Sequence, residues 1–262
     1  MNVEADVMRI PARMVDDLRS SIVEPSAADS TDAELVDGRF VVRSPRCTDL
    51  PAMSRAHVEL LPMGLFPLFG ARFVRCWQRT FLRSAHGVGV VVVDTTAPSG
   101  EIVGFALGAS DHRAHTTELA RNRRELVCLA AAGCAALLAR PRVAARFARS
   151  RVRPWARRLS RLGRASGSSR RTASVAAPNV AVMAALAVRP QWRGSGIGVM
   201  LADRFVEQAR VAGATRVEAQ TSTGPVGAAG FYERLGWHAG AQRLTPDGET
   251  VRTYHRDLGE RR

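Results

Sequence analysis

Residues 188–198 read VRPQWRGSGIG. An apolar run of strand length, Asn179–Val188, leads into this stretch, and apolar residues recur at helical spacing from Ile197 to Ala212. The order therefore predicts a buried strand, a glycine-rich loop and a helix. The first backbone amides of a helix have no partner inside it, and the helix dipole adds partial positive charge there. Because glycine lets an anion approach the backbone closely, this loop favours a pyrophosphate, with Arg193 as an adjacent cation.

The spacing of the three glycines separates this loop from the dinucleotide-binding fingerprint. Gly194, Gly196 and Gly198 alternate, whereas that fingerprint is Gly-x-Gly-x-x-Gly. On spacing alone, a tight strand-to-helix turn without a ligand stays open as the alternative.

A second motif, AAGFYERLGW, occupies residues 228–237. It predicts a short helix that carries Phe231 and Tyr232 and ends at Gly236. The chain has two tyrosines, Tyr232 and Tyr254. A Phe-Tyr helix that ends in Gly-Trp is a specific family signature when it follows a glycine-rich loop like that at residues 193–198.

Together the two motifs resemble the GCN5-related N-acetyltransferase (GNAT) superfamily. Its coenzyme A loop, Arg/Gln-x-x-Gly-x-Gly/Ala, is matched from Arg193 to Gly198. Its later signature, Ala-x-x-Phe-Tyr-x-x-x-Gly-Phe, is matched at five positions, the last conservatively: Ala228, Phe231, Tyr232, Gly236 and Trp237. The resemblance covers residues 178–243 by motif and 38–110 by pattern only.

The resemblance implies an α/β (α+β) fold with a mixed, mostly antiparallel central sheet flanked by helices. The predicted order is β-α-α-β-β, then an interruption, then β-α-β-α-β-β. We expect an acidic N-terminal arm at 1–37 and an acyltransferase domain at 38–262. A basic helical insertion at about 112–176 would lie between the third and fourth predicted strands.

The resemblance also implies roles for individual residues. The pantetheine would pair with the strand edge at Leu186, Ala187 and Val188, where a backbone N–H can hold the oxyanion. Tyr232 would protonate the departing thiolate; a tyrosine that only packs beside coenzyme A is the alternative. The pyrophosphate would lie on a run of backbone amides: Arg193, Gly194, Ser195, Gly196, Ile197 and Gly198. No metal is expected.

Two departures from the family pattern concern catalysis. Pro225 occupies a position that is often Asn, and Val180–Val188 has no acid to serve as a base. Bulk water would then deprotonate the amine, or a base would come from elsewhere in the chain. By approximate location, four residues are candidate bases: Asp111, His112, His115 and Glu218. Two more, His57 and Glu59, are candidates for the acceptor side of the site. Each of these residues also fits a structural role.

Composition excludes several classes of protein. All 38 basic residues are arginine, so a Walker A lysine or a Schiff-base lysine is absent. The four cysteines lack zinc-site spacing, and we expect reduced, buried thiols. The longest apolar run, Leu126–Ala139, has 14 residues, and a membrane span needs about 20. The N-terminus lacks a signal-peptide pattern. We expect a cytoplasmic protein, with peripheral attachment to a membrane as the alternative.

The formal charge of +14 is concentrated in the insertion. Residues 126–171 contain twelve arginines and no acid, whereas residues 1–37 contain nine acids and three arginines. A solvated helical hairpin that shields the site fits this pattern, neutralised by the acidic arm or by a second subunit of a homo-oligomer. An anionic membrane surface and an acidic acyl carrier protein are further candidate partners. Nucleic acid is disfavoured because no known nucleic-acid-binding motif accompanies the arginines.

These patterns predict an N-acyltransferase. It would move an acetyl or longer acyl group from acetyl-CoA or another acyl-CoA to an amine of a small molecule, an amino sugar or a peptide. One alternative is an enzyme that uses a carrier-protein-bound donor. Another is a non-catalytic protein of the same fold that binds coenzyme A or associates with a membrane.

Overall fold

The computed structural model describes residues 33–259, except for 37, 63, 65, 98–99, 149–178, 226 and 246–247. Its sheet has eight strands in the order β1-β2-β3-β4-β5-β6-β8-β7. Every neighbouring pair is antiparallel except β5 and β6, which are parallel. The strands are β1 Glu34–Val36, β2 Phe40–Arg43, β3 Gly87–Asp94, β4 Glu101–Ala109, β5 Val180–Val188, β6 Arg216–Ser222, β7 His238–Leu244 and β8 Thr250–Asp257.

Eight α-helices lie among the described residues. Two single 3-10 turns, Cys47–Asp49 and Pro190–Trp192, precede α1 and α7. The helices are α1 Leu50–Leu60, α2 Phe66–Phe69, α3 Ala71–Leu82, α4 His112–Arg121, α5 Arg123–Ala139, α6 Pro141–Phe147, α7 Ile197–Val211 and α8 Ala229–Arg234. None of these helices combines the length and the apolar content that a membrane crossing requires.

The two faces of the sheet are covered by different helices. On one face, α7 contributes Leu201 and Phe205 to a buried cluster that also contains Tyr232 of α8. On the other face, Met53 of α1 and Phe81 of α3 pack against the sheet. Each face therefore buries its own apolar layer, because successive side chains of the central strands alternate between the two faces.

The predicted fold class is confirmed, with two differences in detail. Glu34–Val36, inside the predicted acidic arm, forms an edge strand paired with β2. The predicted third and fourth strands are consequently β4 and β5. The predicted order has two helices between its first two strands, and the structure has three, because Gly70, with a positive φ of 84°, ends α2 before α3 begins.

The first part of the insertion packs on α2 and α3. Arg140 Nη1 donates to the Leu68 carbonyl at 2.7 Å, and the Phe147 ring meets Phe69 edge-on at 5.9 Å. Leu138 on α5 stays exposed. Most of the cationic stretch predicted beyond Phe147, like the arm before residue 33, lies outside the described residues.

Candidate active site

A β-bulge in β5 opens the sheet where the site is expected. Against β4, Ala185 pairs with Leu107 and Met183 pairs with Gly108, so Ala184 is the extra residue. Against β6, pairing runs from Val180 only as far as Met183 opposite Ala219. Within the described chain, residues 185–188 thus pair with β4 on one side and not with β6 on the other. This leaves an open strand edge beside a gap, and a bulge commonly bends a strand in this way.

The bulge also changes which side chains face each core layer. Before Ala184, Met183 belongs to the α7 layer; after it, Ala185 and Ala187 belong to the α1–α3 layer. Leu186 and Val188 then pack against the α7 layer. One extra residue in a period-two strand must cause this exchange.

The glycine loop forms the N-terminus of α7 beyond the open edge. Gly194 and Gly196 have φ of 84° and 88°, and a Cβ added to either would meet no atom within 4 Å. The loop is therefore in a backbone conformation that favours glycine and borders free space. The Met200 amide bonds to the Gly196 carbonyl at 3.0 Å, and the amides of the first helical turn before it have no partner within the helix.

Gly198 brings the two sequence motifs into contact. A Cβ at this position would lie 3.3 Å from Phe231 Cε2 and 3.7 Å from Val188 Cγ2. Those distances leave little room for a side chain. The third glycine therefore serves close packing of α7 against α8 and β5, whereas Gly194 and Gly196 shape the exposed loop.

Two arginines lie at the end of β5. Arg193 is exposed, and its Nε donates to the Val188 carbonyl at 3.3 Å. Arg189 instead points to β4, where its Nε donates to the Ile102 carbonyl at 2.9 Å and pairs with Glu101. Of the two, Arg193 is the cation placed beside the loop.

Tyr232 lies at the apex of the gap, which is the point where β5 and β6 separate. Its hydroxyl is 3.9 Å from Sδ of Met183, the last residue of β5 that pairs with β6. The ring packs on Trp237 at 5.1 Å and stacks on Tyr254 at 5.5 Å, and the side chain is 5% exposed. Burial raises the pKa of the Tyr232 phenol well above its ordinary value, so the hydroxyl keeps its proton.

The candidate bases predicted from sequence do not meet at one place. Asp111 caps α4, where its Oδ1 accepts from the amides of Arg113 and Ala114 at 2.9 Å. His112 is exposed. His115 is buried and stacks on Phe81 at 4.5 Å, and burial lowers its pKa. Asp111 and His115 therefore have evident structural roles.

Glu218 has a different environment. It lies one residue before the last β5–β6 pair and directly opposite His255 of β8. Opposed residues share a face, and the neighbouring pair, Ala219 and Tyr254, is buried in the α7 layer. Glu218 and His255 hence face the other side of the sheet. Sequence reasoning found Glu218 but missed His255, because only the strand pairing brings the two together.

On the acceptor side, the structure separates the two predicted residues. Glu59 is exposed. His57 is 5% exposed, between Trp77 at 5.5 Å and Phe105 at 6.4 Å, and its Nδ1 has no hydrogen-bond partner. Burial lowers the pKa of His57 to about 4, so the imidazole is neutral near pH 7.

One hydrogen bond joins two loops that are far apart in sequence. The Gly64 amide, between α1 and α2, donates to Glu249 Oε2 at 3.1 Å. Glu249 precedes β8, which pairs with the last residue of β6, Ser222. Since β5 and β6 are parallel, this contact lies at the open end of the gap, where β5 leads into the glycine loop. Sequence analysis did not identify it.

No group of three or more His, Cys, Asp or Glu side chains among the described residues could hold a metal ion. The arrangement therefore consists of an open strand edge, a helix N-terminus and a buried phenol. Such a combination can bind an extended thioester with an anionic end and donate a proton near its centre.

Comparison with known proteins identifies the family. The model of the acetyltransferase (GNAT) family matches residues 58–237. NAA60 from Arabidopsis thaliana, solved in complex with acetyl-CoA, has a TM-score of 0.50 at 13% identity, over 84% of this chain and 98% of that one. YncA from Salmonella typhimurium, solved with its cofactor acetyl-CoA, has a TM-score of 0.48 at 11% identity, over 85% and 96%.

A third solved structure, Ard1 from Thermoplasma volcanium, has a TM-score of 0.47 at 16% identity, over 85% of this chain and 99% of that one. No curated protein sequence matches significantly. The family model spans well over half of the chain, and it includes the bulged strand and both motifs. The chain therefore belongs to the acetyltransferase (GNAT) family and is an enzyme of the N-acetyltransferase class.

Proposed function

We propose that the chain transfers an acetyl or longer acyl group from an acyl-CoA to an amine of a small molecule, an amino sugar or a peptide. One observation carries the proposal: the open edge of β5 has the α7 N-terminus at its end and the Tyr232 hydroxyl at its apex. The acetyl-CoA in the solved NAA60 structure supports the choice of donor.

The donor would lie along the gap. Its pyrophosphate would bind the loop from Arg193 to Gly198 beside the Arg193 guanidinium, through amides other than those of Arg193 and Ser195, which donate to the Pro190 and Trp192 carbonyls. Its pantetheine amides would pair with the backbone of Leu186, Ala187 and Val188, as an added strand would. A backbone N–H of this edge can then stabilise the oxyanion that develops as the amine attacks the thioester carbonyl.

Tyr232 would act as a proton donor in this reaction. Because its phenol has a raised pKa, it stays protonated and can give a proton to the thiolate as the carbon–sulfur bond breaks. A coenzyme A thiol has a pKa of about 8.5 if it behaves like cysteine, so the complete transfer is uphill. The hydroxyl therefore assists departure, chiefly through a hydrogen bond to the sulfur.

The amine would enter from the α1–α3 face. The pyrophosphate loop begins α7 on one face of the sheet, while His57, Glu218 and His255 belong to the other. A thioester that passes through the gap presents its acyl carbon to the second face. Glu218 with His255 is the candidate base there, and bulk water is the alternative.

Calorimetric titration with acetyl-CoA, octanoyl-CoA and free coenzyme A tests the proposal. The wild type should bind these ligands, and its preference among the three indicates the size of the acyl pocket. Gly196→Ala should weaken binding at least tenfold, because it strains the loop at φ 88° and adds a methyl group to the phosphate surface.

The matched control is Gly213→Ala, at the other end of α7. Gly213 has φ of 86° and equally open surroundings, so this change imposes the same backbone strain away from the loop. The Gly213→Ala variant should bind acyl-CoA with the same affinity as the wild type. If neither coenzyme A nor its thioesters bind the wild type, the proposed donor is wrong, and a carrier-protein donor or a non-catalytic role replaces it.

The carrier-protein donor is a second candidate, favoured by the surface of the insertion. Arg123 and Arg124 are exposed on α5, close to exposed Leu126 and Val127. A mixed basic and apolar surface suits an acidic carrier protein, whose phosphopantetheine would use the same β5 edge. Acyl transfer from an acylated carrier protein in the absence of coenzyme A would support this candidate.

A further inference from the structure

Two cysteines face each other where the insertion meets the main domain. Sγ of Cys76 on α3 lies 2.8 Å from Sγ of Cys128 on α5, and both residues are half-buried. That separation is about 0.8 Å longer than a disulfide bond. The expectation of reduced, buried thiols does not foresee this contact, because 52 positions separate the two residues, and it is wrong about burial for Cys47 and Cys134, which are exposed.

The register of the two helices is set independently of the thiols. One turn before Cys128, Glu125 is 3% exposed and accepts from Arg79 Nη2 at 3.3 Å and Arg83 Nη1 at 3.0 Å. Arg79 lies one turn after Cys76. The two contacts thus join the same pair of helices one turn apart, and the ion pairs hold the sulfur atoms together before any bond forms.

We propose that Cys76 and Cys128 form a reversible disulfide that fastens the insertion to α3 under oxidising conditions. The two sulfur atoms need to approach by only about 0.8 Å for the bond to form. It is independent of acyl transfer, because neither residue belongs to the β5 edge, the glycine loop or α8.

The oxidant would be a small disulfide such as oxidised glutathione. A thiolate of the pair attacks it and releases one glutathione thiol; the second cysteine then attacks the mixed disulfide and releases another. The two cysteine thiols lose two protons and two electrons, and the small disulfide is reduced to two thiols. Burial, followed by the hydrogen bond with Cys128, raises the pKa of the Cys76 thiol to about 11. The reaction should therefore be slow near pH 7 and faster near pH 9.

The chain supplies its own controls. Cys47 and Cys134 are exposed, and Cys134 lies on α5 with Cys128. Among the described residues, neither of these two has a second cysteine in contact. They should form mixed disulfides with glutathione, whereas the proposed pair should not retain glutathione.

Mass spectrometry of the full chain tests the proposal. Reduced protein is incubated with oxidised glutathione at pH 8.5, alkylated with N-ethylmaleimide and digested with trypsin. Since residues 125–139 contain no basic residue, Cys128 and Cys134 remain in one peptide, so the experiment includes Cys134→Ser. The expected product, in wild type and in Cys134→Ser, is a monomer in which the Cys76 peptide is linked to the Cys128 peptide.

Cys128→Ser should lose this link and gain glutathione at Cys76. The link should also raise Tm by roughly 5 °C in wild type relative to its reduced form. The proposal is overturned if Cys76 and Cys128 stay free or carry glutathione under conditions that glutathionylate Cys47 and Cys134, or if Cys134→Ser abolishes the link.

Discussion

At the scale of single residues, burial decides what each candidate group can do. Tyr232 and His57 are both about 5% exposed, but burial acts on them in opposite directions. It raises the pKa of the phenol and lowers that of the imidazole, since each neutral form is favoured away from water. Tyr232 is thus suited to donate a proton, and His57 is a neutral group in an aromatic environment.

Replacing Tyr232 with Phe should lower kcat by about tenfold or more and leave the affinity for acyl-CoA nearly unchanged. The hydroxyl contacts Met183 Sδ at 3.9 Å, while the ring supplies the packing on Trp237. Steady-state kinetics and calorimetry measure the two effects separately.

Tyr254→Phe is the matched control for that substitution. Its hydroxyl donates to Glu233 at 2.8 Å, away from the β5 apex, so kcat should stay within about twofold of wild type. Equal kcat values for the two variants and wild type would make Tyr232 a packing residue.

His57 should make stability depend on pH in the acid range. Its pKa falls from 6.5 in the unfolded chain to about 4 in the fold, so the unfolded state binds more protons between these values. Stability should therefore be complete above pH 6.5 and decrease as the pH falls toward 4, by about 3 kcal/mol at most. Urea unfolding at several pH values measures this slope.

His57→Phe should reduce that slope, and His112→Gln, an exposed change in α4, should retain it. A slope that is the same in all three proteins would mean that His57 does not cause it. Phenylalanine suits this position because the neighbours are the rings of Trp77 and Phe105.

At the scale of elements, one extra residue in β5 creates the site. The bulge at Ala184 ends pairing with β6 and exchanges the faces of the following side chains. Gly108, opposite the bulge, permits the close approach of the two strands, and a Cβ there would clash with the β5 backbone. The gap thus begins beside this irregularity, where Tyr232 contacts Met183.

The contact between α3 and α5 should depend on Glu125. Glu125→Ala should lower the free energy of unfolding by about 1–3 kcal/mol, because it leaves the partly buried Arg79 without its carboxylate. Urea midpoints measure the change.

Glu207→Ala is the comparison, since Glu207 forms an exposed pair with Arg210 one turn away. Its cost should be below about 0.5 kcal/mol. If Glu125→Ala costs no more than this, the ion pairs do not hold the insertion on α3.

At the scale of the whole molecule, loops that are far apart in the sequence meet at the open end of the sheet. The α1–α2 loop and the β7–β8 turn meet there through Gly64 and Glu249, which are 185 positions apart. The glycine loop leads into α7 at the same end. Donor and acceptor would thus approach a single opening from opposite faces of the sheet.

With an acceptor identified by free-thiol release, Glu249→Gln should raise the acceptor KM several-fold and leave acyl-CoA affinity unchanged. The amide keeps the shape of the side chain but weakens the hydrogen bond to the Gly64 amide that positions the two loops. Glu207→Gln on the outer surface is the control. An unchanged KM would place the acceptor elsewhere.

By itself, the sequence determined the fold class, the family and the positions of both motifs. These features are local: the glycine loop, the helical period of α7 and the Phe-Tyr helix each lie within a few turns of chain. The bulge at Ala184, the pairing of Glu218 with His255 and the contact of Cys76 with Cys128 were decided only by the tertiary structure. Each joins residues far apart in sequence, and strand register and helix packing, which no local pattern encodes, bring them together.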